Sequence, residues 1–389
     1  MSKLILPPLS LYIHVPWCVR KCPYCDFNSH KADQVLPEKE YVSALMDDLR
    51  AALDWLKENG IEDRPIQSIF LGGGTPSILS VEAYESLFSQ LRSLLDFTDD
   101  IEITMEANPG TFEAEKFKGY RQLGINRLSI GIQSFNDHQL KHLGRIHSGE
   151  EAKRAVNLAK EAGFDNFNLD FMHGLPDQTL EQALEDLQQG VDLGPTHLSW
   201  YQLTIEPNTE FFKRPPKLPK DETLWAIQEA GQRLLADHGY DQYEISAYAQ
   251  AGKQAKHNLN YWQFGDYLGI GAGAHGKLTF PNDNLNQSRI IRTAKTRLPK
   301  DYLNLAKPFC VRKDNIEPED RDLEFLMNGL RLFHGVDKKL FSERTGLDYS
   351  QIEHAVDKAI KEGLLESGPK LKTTTQGQLF LNELLERFL

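Results

Sequence analysis

Short runs rich in β-forming residues recur through the first half of the chain, at positions 11–15, 68–71, 101–105, 127–132, 167–172 and 197–203. Between them lie stretches of helical spacing at 38–56, 81–95, 113–123, 150–162, 180–191 and 221–237. In the first, Tyr41, Leu45, Leu49, Leu53 and Leu56 recur every three or four residues and draw one apolar stripe. Strands alternating with helices predict βαβ units and a parallel sheet. Six units in the first 238 residues predict an α/β fold built as a partial (β/α)6 barrel, short of the eight units of a full barrel. An open doubly wound sheet is the competing fold.

From about residue 240 the rhythm changes. The segments 243–248, 257–262 and 269–276 predict strands and loops that cap the barrel, and 282–300 is polar, basic and expected to be exposed. The last part has two helical stretches, 323–333 and 351–362, flanking a shorter one at 338–345, then a hairpin at 364–366 and 371–373. That order predicts a C-terminal α+β, winged-helix-like region. The expected division is a barrel at 1–238, a capping region at 239–321 and a small unit at 322–389.

Polar and glycine-rich signals collect where the predicted strands end. A cysteine loop follows the first strand, and Gly72-Gly73-Gly74-Thr75-Pro76 follows the second. Glu106 ends the third, Gln133 and Ser134 the fourth, and Asp170 with His173-Gly174-Leu175-Pro176 the fifth. In α/β barrels chemistry gathers at this carboxyl edge, so the five strand ends read as one shared site.

Composition narrows the class. The 389 residues are 40% hydrophobic and 26% charged, enough for a sizeable core. A net charge of −12 speaks against a general nucleic-acid binder, and the tail is not basic enough to make its winged-helix pattern a DNA-binding one. Four cysteines, three of them clustered, do not make a secreted disulfide framework. The first residues hold too short an apolar run for a signal peptide, and no segment approaches the roughly 18 apolar residues of a membrane span. The expected setting is cytoplasmic, with no integral membrane anchor.

The clustered cysteines carry the strongest chemical signal. Cys18, Cys22 and Cys25 have the spacing Cys-x3-Cys-x2-Cys, which can hold three corners of a four-iron cube and leave the fourth iron open. Structural zinc and a Cys22–Cys25 dithiol are the alternatives. Cys310, in an apolar stretch, predicts a buried free thiol. The other signals also have plain readings. The glycine triplet could be a simple turn, Glu106 a solvated loop residue, Arg145 an ion-pair partner and His257 a hydrogen-bonded core histidine. Asp170 is harder to dismiss, because an unpaired buried carboxylate is costly.

Taken together, the cysteine loop, the Gly-Gly-Gly-Thr-Pro turn, the Gly131-Ile132-Gln133-Ser134-Phe135 strand end and Asn168-Leu169-Asp170-x3-Gly174-Leu175-Pro176 resemble the radical SAM superfamily. More narrowly they resemble the branch containing oxygen-independent coproporphyrinogen III oxidases and heme chaperones (the HemN/HemW branch). The resemblance implies that Cys18, Cys22 and Cys25 ligate a [4Fe–4S] cluster whose open iron binds S-adenosylmethionine (SAM). It places Tyr24 near the adenine, Gly73, Gly74 and Thr75 at the methionine end, and Glu106 on the ribose. Gln133, Arg145 and Asp170 would complete that pocket, and Tyr12 would stand ahead of the cysteine loop as the family tyrosine.

Two features divide the branch. Phe27 occupies the position where the oxidase pattern continues with a fourth cysteine, and the oxidase carries a longer segment ahead of its cluster. Conversely, His257-Asn258-x2-Tyr261-Trp262 matches the motif that the resemblance ties to heme binding in the chaperones. A histidine nitrogen can ligate heme iron while neighbouring aromatics pack on the porphyrin. The expected function is therefore a heme chaperone that delivers heme to apo-proteins of the respiratory chain, with His257 as candidate heme ligand and a homodimer implied. The alternative is a radical SAM coproporphyrinogen III oxidase of porphyrin biosynthesis, and a third is a SAM-bound protein without turnover. Whether the chain is an enzyme is left open between them. Arg289, Arg292, Lys295 and Arg297 could meet heme propionates or form a solvated loop face.

Overall fold

The computed structural model describes residues 4–33, 35–61, 64–110, 116–282 and 288–389. Six parallel strands stand side by side in chain order: β1 (Leu9–Val15), β2 (Ile66–Gly73), β3 (Phe97–Ala107), β4 (Arg127–Gln133), β5 (Phe167–His173) and β6 (His197–Gln202). The helices between them are α1 (Glu38–Glu58), α2 (Val81–Leu94), α3 (Phe117–Gln122), α4 (Gly149–Glu161), α5 (Leu180–Asp192) and α6 (Asp221–Asp237). This is the partial (β/α)6 barrel that the periodicity predicts. The expected helix at 113–123 begins outside the described residues, up to 115, and appears from Phe117.

Alternation along each strand explains the layering. Leu11, Ile13 and Val15 of β1, with Ile69, Leu71, Ile103 and Met105, pack into one buried cluster with Leu45 and Leu49 of α1 and Leu87 and Phe88 of α2. The intervening positions face the barrel interior and are largely polar. Two helices start on sequence-encoded caps: Ser148 with Glu151 for α4 and Thr179 with Gln182 for α5 each form a reciprocal capping box.

Residues 239–321 join the barrel's own sheet on both sides. The strands β7 (Asp241–Glu244) and β8 (Ala247–Ala249) extend the sheet antiparallel beyond β6. On the far edge β9 (Asp266–Ile270) runs parallel to β1, followed by antiparallel β10 (His275–Phe280), β11 (Arg289–Lys295) and β12 (Cys310–Asn315). The result is one twelve-stranded sheet. The aromatic motif at 257–262 forms a helix, α7 (Lys256–Trp262), rather than a strand or loop.

The basic run is exposed at Arg289, Arg297 and Lys300, as expected, but not at Lys295, and 283–287 lie outside the described residues. Lys295 is 5% exposed and pairs with the fully buried Asp48 of α1, which also accepts bonds from Tyr302 Oη at 2.7 Å and Gly271 N at 3.2 Å. Arg292 pairs with Glu324, while Arg289 donates to Asn59 Oδ1 at 2.8 Å. Arg289, Arg292 and Lys295 thus each have a separate partner. Cys310, expected to be buried, is half-buried at the start of an edge strand whose later residues are exposed.

The C-terminal region has its own core, with Phe325, Leu326, Phe341, Ile352 and Val356 on α8 (Arg321–Gly329), α9 (Lys338–Thr345) and α10 (Ser350–Lys361). Val336 pairs with Leu371, and Leu365 bridges Thr373, giving the winged-helix-like order. The same core includes Tyr243, Ala247 and Phe264, so this unit packs on the β7–β8 edge. Among the described residues no helix is long and apolar enough to cross a membrane.

The buried Asp48–Lys295 pair ties α1 to β11. Lys295→Met leaves the Asp48 carboxylate unpaired, with an expected loss of about 3–5 kcal/mol in urea denaturation. The double variant Lys295→Met with Asp48→Leu should recover most of it.

Candidate functional site

The carboxyl ends of the strands open into a cavity of about 390 Å³. Cys18, Cys22, Cys25, Tyr24, Gly73, Gly74, Thr75, Glu106, Gln133, Arg145 and Asp170 all line it. The shared edge inferred from five strand ends is one physical site.

The cysteine loop leaves β1 through Trp17 and Cys18 and is pinned from several sides. Ala32 N donates to Cys18 O at 2.8 Å and His30 N to Pro16 O at 2.7 Å, while the Lys21 ammonium reaches Ser29 O at 3.2 Å. Asn28 Nδ2 donates to Ala272 O and Arg297 O, both at 2.9 Å. Burial pushes the Cys18 and Cys25 thiols above their ordinary pKa, partly offset by Thr75 beside Cys18 and Ser29 beside both. Arg145 Nη1 lies 3.7 Å from Cys22 Sγ.

The dithiol alternative loses ground: a reactive dithiol wants a thiolate at a helix start, whereas Cys22 and Cys25 flank a turn and the first helix among the described residues begins at Glu38.

Glu106 and Asp170 project from β3 and β5 into the barrel interior. Glu106 Oε2 accepts from Gly73 N at 3.0 Å. Burial first, then the neighbouring Asp170 charge, push the Glu106 carboxyl up to about 8. Burial also raises Asp170, against bonds from Ser129 Oγ at 2.9 Å and Asn168 Nδ2 at 2.8 Å. Arg145 is held by Asn108 Oδ1 at 2.7 Å and Gly131 O at 2.9 Å, and Asn108 Nδ2 donates to Thr75 Oγ1 at 2.9 Å. Gln133 has φ of 62°, a left-handed conformation rare for a side-chain-bearing residue, and its buried Oε1 has no partner. An unpaired acceptor held by an unusual backbone conformation in a cavity wall suits ligand contact.

Two expected site residues lie elsewhere. Tyr12 sits behind the wall, its hydroxyl 2.8 Å from His14 Nδ1 and its ring stacked on Phe70. It does not line the cavity. His257, on α7, is 5% exposed and stacks on Phe70 at 4.2 Å. Its Nδ1 lies 3.2 Å from Glu102 Oε1. Burial alone would raise the Glu102 carboxyl, but His257 and the Arg127 charge outweigh it and hold it at about 2. Burial lowers His257 more than Glu102 raises it, so the pair reads as a neutral imidazole donating Nδ1–H to a carboxylate. Nε2 then carries the lone pair. The chemistry suits an iron ligand, while the burial withholds it from a macrocycle in this conformation.

The wall also takes in Ser129, Tyr201, Glu244 and Arg331, which no motif singled out. Ser129 and Tyr201 had a weak signal, since each stands two positions from another inward residue on its strand. Arg331 had none.

Residues 12–189 match the model of the radical SAM superfamily, and 316–380 match that of the HemN C-terminal domain. The heme chaperone HemW of Haemophilus influenzae is 56% identical over 385 residues, covering 99% of this chain and 98% of its own. That of Escherichia coli is 52% identical over 99% of both, and that of Bacillus subtilis 36% identical over 98% and 99%. The E. coli coproporphyrinogen III oxidase HemN, a radical SAM enzyme, superposes with a TM-score of 0.79 over 98% of this chain and 90% of its own. At 23% identity that likeness speaks for the fold.

Because Glu106 has a raised folded-state pKa, folding favours its protonated form. That contribution is complete below the ordinary glutamate pKa and is lost as pH climbs through about 8. Glu106→Gln cannot ionise, so its Tm relative to the parent should rise by at least about 2 °C between pH ~5.5 and pH ~8.5 in ligand-free protein. Equal Tm differences at the two pH values would contradict this.

Proposed function

The chain belongs to the radical SAM superfamily and, within it, to the heme chaperone HemW family, and from that premise we propose that it binds heme and delivers it to apo-proteins, respiratory-chain components among them. The observation that carries the site assignment is the convergence of three cysteines, a glycine turn and two raised carboxyls on one cavity.

In this reading Cys18, Cys22 and Cys25 hold a [4Fe–4S] cluster, and SAM lies beside it. The donor set fits, because three thiols of one loop border a cavity large enough for a small cofactor. When bound and reduced, such a cluster supplies one electron to the SAM sulfonium. The chain's own residues bind and orient. Gly73 and Gly74 bring backbone to the ligand, Glu106 meets ribose hydroxyls, and Arg145 is a fixed cation beside Cys22. A protonated Glu106 can donate to a hydroxyl as well as accept from one.

Phe27, at the position of the oxidase's fourth cysteine, favours the chaperone over the oxidase. It is 63% exposed, so nothing packs there as a structural substitute. The proposal includes a reducing, cytoplasmic setting and self-association into a homodimer, as the family resemblance implies. His257 remains the proposed axial ligand through Nε2, and its burial means that α7 must shift when heme binds.

After anaerobic reconstitution, about four iron atoms per chain and a paramagnetic signal on dithionite reduction are expected, with Cys18→Ala losing most of both. A Cys18→Ala protein with full iron and an unchanged signal overturns the ligand set. Protoporphyrinogen formation from coproporphyrinogen III by the reconstituted protein would move the function to the oxidase. In a heme titration, His257→Ala should shift the Soret band and weaken affinity roughly tenfold, an axial bond's share. Identical spectra and affinities remove His257.

A further inference from the structure

Part of the cavity wall has no role in holding cluster or SAM in the reading above. It is made by Glu244 at the end of β7, Trp262 at the end of α7, and Arg331 just beyond α8. The Arg331 guanidinium carbon stands 4.4 Å from the centre of the Trp262 ring. Its Nη2 is 3.5 Å from Glu244 Oε2, well beyond the 2.7–2.9 Å of a firm charge-assisted bond. Arg331 Nε and Trp262 Nε1 are both buried without a hydrogen-bond partner. A loosely held cation and the ring it stacks on thus border the cavity together, each side chain carrying one unpaired N–H.

We infer that Arg331 and Trp262 form a subsite for a carboxylate of the bound ligand, built across the seam between the barrel and the C-terminal unit. This rests on the reading that the chain carries heme, whose propionates are the first source of such a carboxylate. The amino-acid carboxylate of SAM is the second. A guanidinium takes a carboxylate through two parallel N–H···O bonds, and the neighbouring indole carries a further N–H without a partner. Glu244 is the competing group. Burial pushes its carboxyl up while Arg331 draws it down, with burial prevailing, and the 3.5 Å separation holds Arg331 only loosely. Arg331 stacks on the indole face and so keeps its place when it changes partner.

The experiment compares heme, heme dimethyl ester and SAM binding to wild type, Arg331→Ala, Arg331→Lys and Trp262→Phe in one detergent-containing buffer. The expected result is a loss of about tenfold in heme affinity for Arg331→Ala, part of it restored by lysine, and a smaller loss for Trp262→Phe. Dimethyl ester affinity should stay unchanged across the set. Loss confined to SAM also supports the subsite and assigns it to the SAM carboxylate. Equal losses for heme and its ester, or no loss for heme and SAM, overturn the inference. If wild type binds no heme, the chaperone reading falls and the SAM arm alone decides the subsite. Should Arg331→Ala melt early, Trp262→Phe, which keeps an aromatic ring and removes only the donor, decides in its place.

Discussion

The site depends on the registration of the cysteine loop against the glycine turn. Parallel pairing of β1 with β2 runs to Val15 and Gly73, then continues past the strand ends. Gly74 N donates to Val15 O and Thr75 N to Trp17 O, both at 2.7 Å. A Cβ on Gly73 would sit 2.4 Å from the His14 ring, and one on Gly74 2.5 Å from Trp17 O. Gly73 also has φ of 111°, open to glycine at no steric cost. The turn therefore needs glycine to touch the neighbouring loop, before any ligand is considered. His14 locks the arrangement from within, since its ring bridges the Tyr12 hydroxyl and Asn28 O at 2.8 and 2.9 Å. Tyr12 thus serves the cluster loop through His14, without entering the cavity.

Behind that loop, a chain of hydrogen bonds crosses the barrel interior. Asp170 accepts from Ser129 and Asn168; Asn168 Oδ1 lies 2.7 Å from His197 Nδ1; His197 Nε2 lies 2.9 Å from the Tyr243 hydroxyl, which accepts from Asn258 at 3.2 Å. The chain of bonds runs from a cavity carboxyl on β5 to α7, the helix of the aromatic motif. Low dielectric makes such networks stiff when satisfied and costly when broken.

The strands, their order and most of the cavity wall were legible because they rest on local signals. Period-2 runs fix strands, and the strand-end rule converts five scattered motifs into one site. Depth was not legible. Tyr12 and His257 belong to recognisable motifs, yet a motif carries no measure of how far a side chain lies from a cavity. Arg292 and Lys295 looked solvated because their partners, Glu324 and Asp48, are distant in sequence and α1 gives no sign that it buries an aspartate. The twelve-stranded sheet was hidden for a similar reason. The strand β9 pairs with β1 across more than 250 residues, and no local pattern announces that register.

Six parallel strands do not close on themselves, and this decides where a second ligand can enter. Past β6 the sheet continues into the antiparallel β8 and β7 instead of returning to β1, so the barrel keeps an open side. In a closed eight-stranded barrel the interior is filled by side chains from all strands. Here Glu244, Ser246 and Ala247 from the added strands, Asn258 and Trp262 from α7, and Arg331 from the C-terminal region complete the wall. Residues from three separate parts of the chain meet there, with Arg331 held loosely by Glu244, whereas the cysteine loop is pinned from several sides. The firm end suits a cofactor that stays, and the loosely paired end suits cargo that must leave.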